Sequence, residues 1–216
     1  MSPATIDQDE GRSARKRKAI IEAATDLFLE QGFDGTSMDQ VAAQAKVSKQ
    51  TVYKQFADKD SLFAQVILGL SGTVEAFIAT VARLLANPKD VEQALKQLAR
   101  VYARTVMQPR VLQLRRLLIG QARRFPALAG AYYERVPERT IAAIATCFDQ
   151  LGARGLLRVP DPMLAARHYA VLVLFIPLDQ ALICGDDTQP SAAALDRLAD
   201  AGVDVFLAAY GSRPGR

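Results

Sequence analysis

The sequence predicts an all-α protein: an N-terminal three-helix helix-turn-helix domain, then a larger C-terminal helical domain, about nine helices in all. Three observations carry this. Apolar residues recur at spacings of three and four along most of the 216-residue chain. The segments end at Gly, Pro and capping residues, and no alternating strand pattern interrupts them. Residues 37–56, SMDQVAAQAKVSKQTVYKQF, read as two short helices about a tight turn.

In chain order, residues 1–12 carry Pro3 and Gly11 and no apolar period, which predicts a disordered tail. Arg12, Arg15, Lys16, Arg17 and Lys18 cluster at the start of helix 1, expected from about Ser13 to Gln31. They read either as an arm along a nucleic-acid backbone or as a solvated helix start. Positive charge at a helix N-terminus opposes the dipole, which favours the arm. Ile20, Ala24, Leu27 and Phe28 form the buried stripe, and Gly32 stops the helix as a C′ residue.

The second helix has Met38, Val41, Ala42 and Ala45 on one face, capped by Ser37, with Gln40 placed to return a bond to the cap. Lys46-Val47 turns the chain and Ser48 caps the third helix. There Val52 and Phe56 face inward, while Lys49, Gln50, Tyr53 and Lys54 crowd the outer face, with no acid from Lys46 to Ala57. Such a helix is about 13 Å long at ~1.5 Å per residue, matching a B-DNA major groove about 12 Å wide. The spacing alone also fits a solvated helical hairpin with a basic face. Together the three helices predict a core of Ile20, Leu27, Phe28, Phe33, Val41, Val47, Val52 and Phe56.

The stretch from Arg15 to Phe63 resembles the TetR family of bacterial transcriptional regulators. The matching pieces are AATDLFLEQGFDGTSMDQVAAQA, VSKQTVYKQF and DKDSLF, about a quarter of the chain. The family usually has Gly where Lys46 stands, so a lysine is expected to take a left-handed conformation, at about 1–2 kcal/mol. The order LRRLLIGQARRFP then YYERVPERTIAAI is similar to the AcrR/AefR-like repressors. The resemblance implies a helix-turn-helix DNA-binding domain over residues 13–60, and a ligand-binding and dimerisation domain over residues 61–211.

Beyond the head, Asp58 caps a long helix expected over about 59–86, with Gly69 and Gly72 as points of flexure. Further helices are expected at about 88–107, 109–124, 127–154 (bent near Pro137), 162–184 and 191–210, before a disordered GSRPGR tail. The helix at about 162–184 is apolar nearly all round from Tyr169 to Leu178, so it is buried on two sides. By resemblance, it and the helix at about 191–210 form a four-helix homodimer interface.

Composition excludes several classes. Net charge is +4 and pI about 9.2, compatible with nucleic acid. The N-terminus has no apolar signal region, and residues 169–184 are interrupted by Pro177, Asp179 and Gln180, so no membrane span and a cytoplasmic location are expected. Cys147 and Cys184 do not make a disulfide framework; they read as free thiols or a redox pair. One histidine and two distant cysteines give no metal site, and no catalytic or cofactor-binding pattern occurs. No cofactor is expected.

The candidate residues follow from residue type. Lys49 and Gln50 suit base edges. Tyr53, Lys54 and the hydroxyls of Ser48 or Thr51 suit phosphates, and Lys46 adds positive charge beside them. Thr36 and Ser37 begin helix 2, where free N–H groups attract phosphate. The resemblance assigns phosphate contacts to Tyr53 and Lys59. By the same resemblance the C-terminal helices enclose a cavity; Phe77, Met107, Phe148, His168 and Phe175 are candidates for it and fit equally as core. The expected protein is a homodimeric repressor that leaves a palindromic double-stranded operator when a small, largely apolar effector binds. Effector-independent regulation, activation and redox response remain alternatives.

Overall fold

The computed structural model describes residues 3–185 and 188–212, with side chains from Arg12 onward. Among these residues the fold is helical, and the one extended feature is an isolated bridge between Leu157 and Gly211. The chain divides into two compact units. The first comprises residues 1–69 and 116–130, the second residues 70–115 and 131–216.

The first unit contains α1 (Pro3–Gly35), α2 (Met38–Gln44), α3 (Lys49–Gln55) and α4 (Lys59–Leu68). It also takes the C-terminal end of α7 (Pro109–Gln121) and the start of α8 (Pro126–Tyr133). Helix α1 begins at Pro3 instead of Ser13, so residues 3–12 are helical where an unstructured tail was expected. It breaks at Gly32 (φ 74°, ψ 174°), a conformation essentially reserved for glycine, and Phe33 turns inward from there. Ile20, Leu27, Phe28, Phe33, Val41, Val52 and Phe56 are buried as expected, while Val47 is only half-buried.

The core of this unit is more aromatic than its first three helices suggest. Phe28, Phe33 and Phe63 lie with ring centroids 5.0–5.8 Å apart, and Phe125 joins Phe33 and Phe63 at 5.1 and 5.4 Å. Edge-to-face packing of this kind adds about 0.5–1.5 kcal/mol per pair beyond area burial. Arg124 lies 4.6 Å over the Phe33 ring and pairs with Asp34 at 3.0 Å. The 116–130 segment is thereby tied to the end of α1.

The second unit contains α5 (Ser71–Leu85), α6 (Val91–Val106), the start of α7, the end of α8, a π-helical turn (Glu134–Glu138), α9 (Arg139–Ala153), α10 (Pro162–Cys184) and α11 (Ala192–Tyr210). The single long helix expected over 59–86 is interrupted at Gly69–Leu70, where Thr73 N–H bonds Leu70 O in place of a carbonyl four residues back. Two low-propensity glycines at 69 and 72 make this the weakest place in the run. The bend near Pro137 takes the form of the π turn; a wider register accommodates a residue with no N–H to donate.

Three features hold the second unit together. Phe148, Tyr169 and Phe206 pack in its centre, Tyr169 edge-to-face on both phenyl rings, and the buried Tyr169 hydroxyl donates to Leu95 O at 2.6 Å. Lys96, Arg100 and Arg104 on α6 face Asp204, Asp200 and Asp196 on α11 in an antiparallel ladder, with Arg100 bidentate on Asp200. Those hydrogen bonds hold the Asp200 carboxyl below its usual range and push the Lys96 ammonium up. Finally, α10 and α11 approach closely at Gly202. Past α11, Gly211 bridges Leu157 and the Ser212 hydroxyl donates to Leu156 O at 3.0 Å, so these two residues are engaged; the rest of the expected tail lies outside the described residues.

Two helical stretches, Lys59–Leu85 and Pro162–Cys184, are long and apolar enough by length and composition to cross a membrane, contrary to expectation. The first is the one interrupted at Gly69–Leu70. The second places Tyr169, Val173 and Leu174 in the core of its unit.

A Cβ on residue 202 would stand 2.5 Å from Leu172 O and 2.8 Å from Leu172 C. Gly202→Ala is therefore expected to force α10 and α11 apart and to cost about 1–3 kcal/mol. Thermal denaturation should show this as a drop of about 2–4 °C per kcal/mol. An unchanged melting temperature would show that the helices are not packed this tightly.

Candidate nucleic-acid interface and interior cavity

The helix-turn-helix forms because both of its helices are capped by side chains. Ser37 Oγ accepts from Gln40 N–H at 3.2 Å and Gln40 Oε1 accepts from Ser37 N–H at 2.8 Å, the capping box expected. Ser48 Oγ accepts from Thr51 N–H at 3.1 Å and lies 2.8 Å from Thr51 Oγ1. Lys46 makes the turn with φ 55°, alone among the described non-glycine residues in having a positive φ. Its side chain is exposed beside α3.

The fully buried Val52 and the buried Phe56 set the inner side of α3. Arg17 secures that side. Its guanidinium sits 4.5 Å over the Phe56 ring and donates to Gln55 O at 3.2 Å and Gln65 Oε1 at 3.1 Å. Arg17 therefore joins α1 to α3 and α4, and does not extend as part of a free arm.

Gln50, Thr51, Tyr53 and Lys54 surround one shallow open depression on the outer side of α3, and Tyr53 is exposed. Lys49 is exposed as well, but its ammonium lies 2.8 Å from Asp39 of α2, whose hydrogen bond raises the lysine pKa. The acid missing from the third helix is thus supplied by the second. Two other candidates turn inward. Thr36 is buried and its hydroxyl donates to Gly32 O at 2.9 Å. Lys59 donates to Phe33 O at 2.8 Å and Thr36 O at 2.9 Å, 4.4 Å above the Phe33 ring. Two of its three N–H donors serve the α1–α2 corner, and one is left.

The second unit holds a small cavity of about 40 Å³, open to solvent at its mouth. Val74 and Phe77 of α5, Val106 of α6, Val111 of α7 and Val136 of the π turn make its apolar wall. Its polar groups are Tyr102, Arg115, Tyr132 and three threonines, Thr73, Thr105 and Thr140. Each threonine hydroxyl donates to a carbonyl of its own chain segment, at 2.7–2.8 Å, and so can only accept from a guest. The Tyr132 hydroxyl is buried and has no hydrogen-bond partner among the described residues. Burial pushes the Tyr102 phenol up to about 12 and raises Tyr132, while the Arg115 charge opposes both shifts. Both phenols are protonated donors at neutral pH. A second, more open depression shares Thr73, Phe77 and Thr105 with the cavity.

Of the five residues proposed for a cavity, only Phe77 lines this one. Met107 and Phe148 are buried in the core of the unit. Phe175 is exposed on α10, and His168 is exposed with Nδ1 2.7 Å from the Tyr210 hydroxyl. Sequence reasoning missed Tyr102, Arg115 and Tyr132. A signal for Arg115 existed: it stands three residues from both Leu112 and Leu118, two buried positions. Cys147 is buried and Cys184 exposed, and both are free.

Residues 20–66 match the family described as bacterial regulatory proteins, tetR family. Residues 93–212, more than half of the chain, match the AefR-like transcriptional repressor C-terminal domain. The chain belongs to the TetR family. That family is one of bacterial helix-turn-helix regulatory proteins.

The fold of a TetR-family regulator from Mesorhizobium loti superposes with a TM-score of 0.87 at 46% identity, covering 93% of this chain and 98% of that one. The flavonoid-responsive regulator FrrA superposes with a TM-score of 0.72 at 34% identity, over 93% of this chain and 100% of its own. Among curated relatives, the repressor Rv3405c of Mycobacterium tuberculosis is 37% identical over 90 residues, 41% of this chain and 45% of its own. YdeS of Bacillus subtilis is 41% identical over 81 residues, 38% of this chain and 34% of its own. The chain thus spans about a third to just under half the length of these two curated relatives.

Two substitutions separate the roles of the head's residues. Tyr53→Ala removes an exposed ring and hydroxyl without opening the core; it should weaken DNA binding while leaving the melting temperature nearly unchanged, and equal affinity by gel shift would count against a contact there. Lys46→Gly relieves the left-handed strain and should raise stability by up to about 1 kcal/mol in denaturant unfolding.

Proposed function

We propose that this TetR-family protein is a homodimeric repressor, acting in the cytoplasm, whose grip on a palindromic operator is released by a small, largely apolar effector. The observation that carries the effector reading is the cavity itself. It is enclosed by valines and aromatic rings, it holds a few convergent polar groups, and it lies in the unit that matches the AefR-like C-terminal domain. Sites of that make-up are the usual form of small-molecule pockets. Its lining draws on α5 and α7, and the chain passes from each of these into the DNA-binding unit, at residues 69–70 and 115–116.

On the DNA side, Lys49 and Gln50 read base edges, and Tyr53, Lys54, Thr51 and Ser48 hold phosphates. Lys46 adds charge next to them. The backbone N–H groups that open α2 at Ser37 offer a further phosphate site. Thr36 and Lys59 act mainly by fixing the α1–α2 corner, with Lys59 keeping one donor for a phosphate. Asp39 must release or share Lys49 when DNA arrives, so the ion pair biases which contacts Lys49 makes.

Dimerisation is assigned to α10 and α11. Val171, Leu172, Phe175, Ile176 and Ile183 of α10, with Leu198 and Val205 of α11, are exposed large apolar residues; Ile176 and Ile183 are 72% and 74% exposed. An apolar surface of this extent marks an interaction site, and a symmetric pairing of it would give the two heads that a palindrome needs.

The test is footprinting on the DNA upstream of the protein's own gene, across a salt series, with and without a small ring-bearing compound, acid or neutral, as the trial effector. A short palindromic footprint should weaken with a slope of about 0.9 in log K per neutralised phosphate and be lost on adding the compound. Protection indifferent to a broad panel of apolar compounds would remove the effector reading. Phe175→Asp should yield a monomer by light scattering; a dimer that survives would place the interface elsewhere.

A further inference from the structure

The cavity holds a positive charge and a buried hydroxyl that no group among the described residues answers. Arg115 lines it, half-buried, and among the described residues no carboxylate forms an ion pair with it. Tyr132 is 6% exposed, its hydroxyl is unpartnered, and it lines the same space. A buried donor without an acceptor costs about 1–3 kcal/mol, and an unpaired guanidinium in an apolar wall is costlier still. The threonine hydroxyls do not relieve this. Their hydrogens are committed to backbone carbonyls, and no negative charge comes with them.

Five carboxylates of the unit are occupied elsewhere. Glu75 pairs with Arg139 at 2.6 Å and Glu138 with Arg167 at 3.3 Å, while Asp196, Asp200 and Asp204 face the basic stripe of α6. The cavity therefore presents donors and one uncompensated positive charge at its polar side. Its remaining wall is apolar, with the Phe77 and Tyr102 rings 5.4 Å apart forming an aromatic face.

We infer that the effector is an organic acid: an apolar, ring-bearing body against Val74, Phe77 and Val111, with an anionic oxygen group held by the Arg115 guanidinium and the Tyr132 hydroxyl. A planar guanidinium binds a carboxylate through two parallel N–H bonds, which is both stronger and more directional than a neutral hydrogen bond. The hydroxyl of Tyr132 supplies a further donor to that group. A neutral ligand of the same shape would leave the arginine charge uncompensated, so discrimination between acid and alcohol is built into the site. This inference rests on the cavity being the effector site.

The test uses the full-length protein and two probes with one body and different heads, 3-phenylpropanoate and 3-phenylpropanol, measured by titration calorimetry. The acid should bind at least about tenfold more tightly than the alcohol, as expected where a site's donors go unanswered by the analogue. Arg115→Met should bring the two to within about threefold of each other while retaining the alcohol, which also reports that the variant is folded. Tyr132→Phe should weaken the acid alone.

Equal affinity for acid and alcohol in the unaltered protein would overturn the inference and leave the cavity as an effector site. A preference for the acid that persists in Arg115→Met would overturn the assignment of Arg115. Binding of neither probe by protein that still binds its operator would overturn the cavity reading, and this inference with it.

Discussion

The first unit depends on the packing of Phe33. Gly32 allows the chain to turn at the end of α1, and Phe33 enters a nest of Phe28, Phe63 and Phe125. Two cations close over it: the Lys59 ammonium at 4.4 Å and the Arg124 guanidinium at 4.6 Å. Each brings a second anchor, Lys59 to the carbonyls of Phe33 and Thr36, Arg124 to Asp34. One ring therefore joins α1, the start of α2, α4 and the segment around residue 125. The position of α3 follows, because Val52 and Phe56 pack into a frame already held.

This arrangement explains why Thr36 and Lys59 look different in sequence and in structure. Their residue types suit a phosphate, and their places at helix starts suit one too. In the fold their polar atoms are largely spent on the corner that presents α2. Phosphate contacts that position a protein and internal bonds that position a helix draw on the same donors. Sequence alone does not say which demand wins, since the answer depends on the carbonyls exposed by the Gly32 break.

The fold was legible wherever local chemistry decides it. Ser37 and Gln40, Ser48 and Thr51, Gly32, and the φ of Lys46 all behave as their residue types and spacing require. The apolar stripes identified buried residues of the head, apart from the half-buried Ala45 and Val47. What was not legible depends on long-range packing. The interruption at Gly69–Leu70 falls inside an unbroken apolar seam. Phe175 and Phe148 are equally apolar helical residues, yet one is on the surface of its unit and the other in its centre. Tyr102, Arg115 and Tyr132 come together from three helices 13 to 30 residues apart, a convergence that periodicity cannot express. The same limit applies to Asp39, which answers Lys49 across the turn.

The ladder between α6 and α11 has a consequence for how the protein is made. Its bases all lie on one helix, at 96, 100 and 104, and its acids all on the other, at 196, 200 and 204. Like charges four residues apart disfavour each helix on its own, and only Lys96 has a local partner, in Glu92. The two helices are separated by about a hundred positions, as Arg100 is from Asp200. At ribosomal speeds of about 5–20 residues per second, α6 waits roughly 5–20 s for its counterpart. Through that interval a nascent chain carries a basic stripe with two of its three charges unanswered, and the second unit closes only after α11 has emerged.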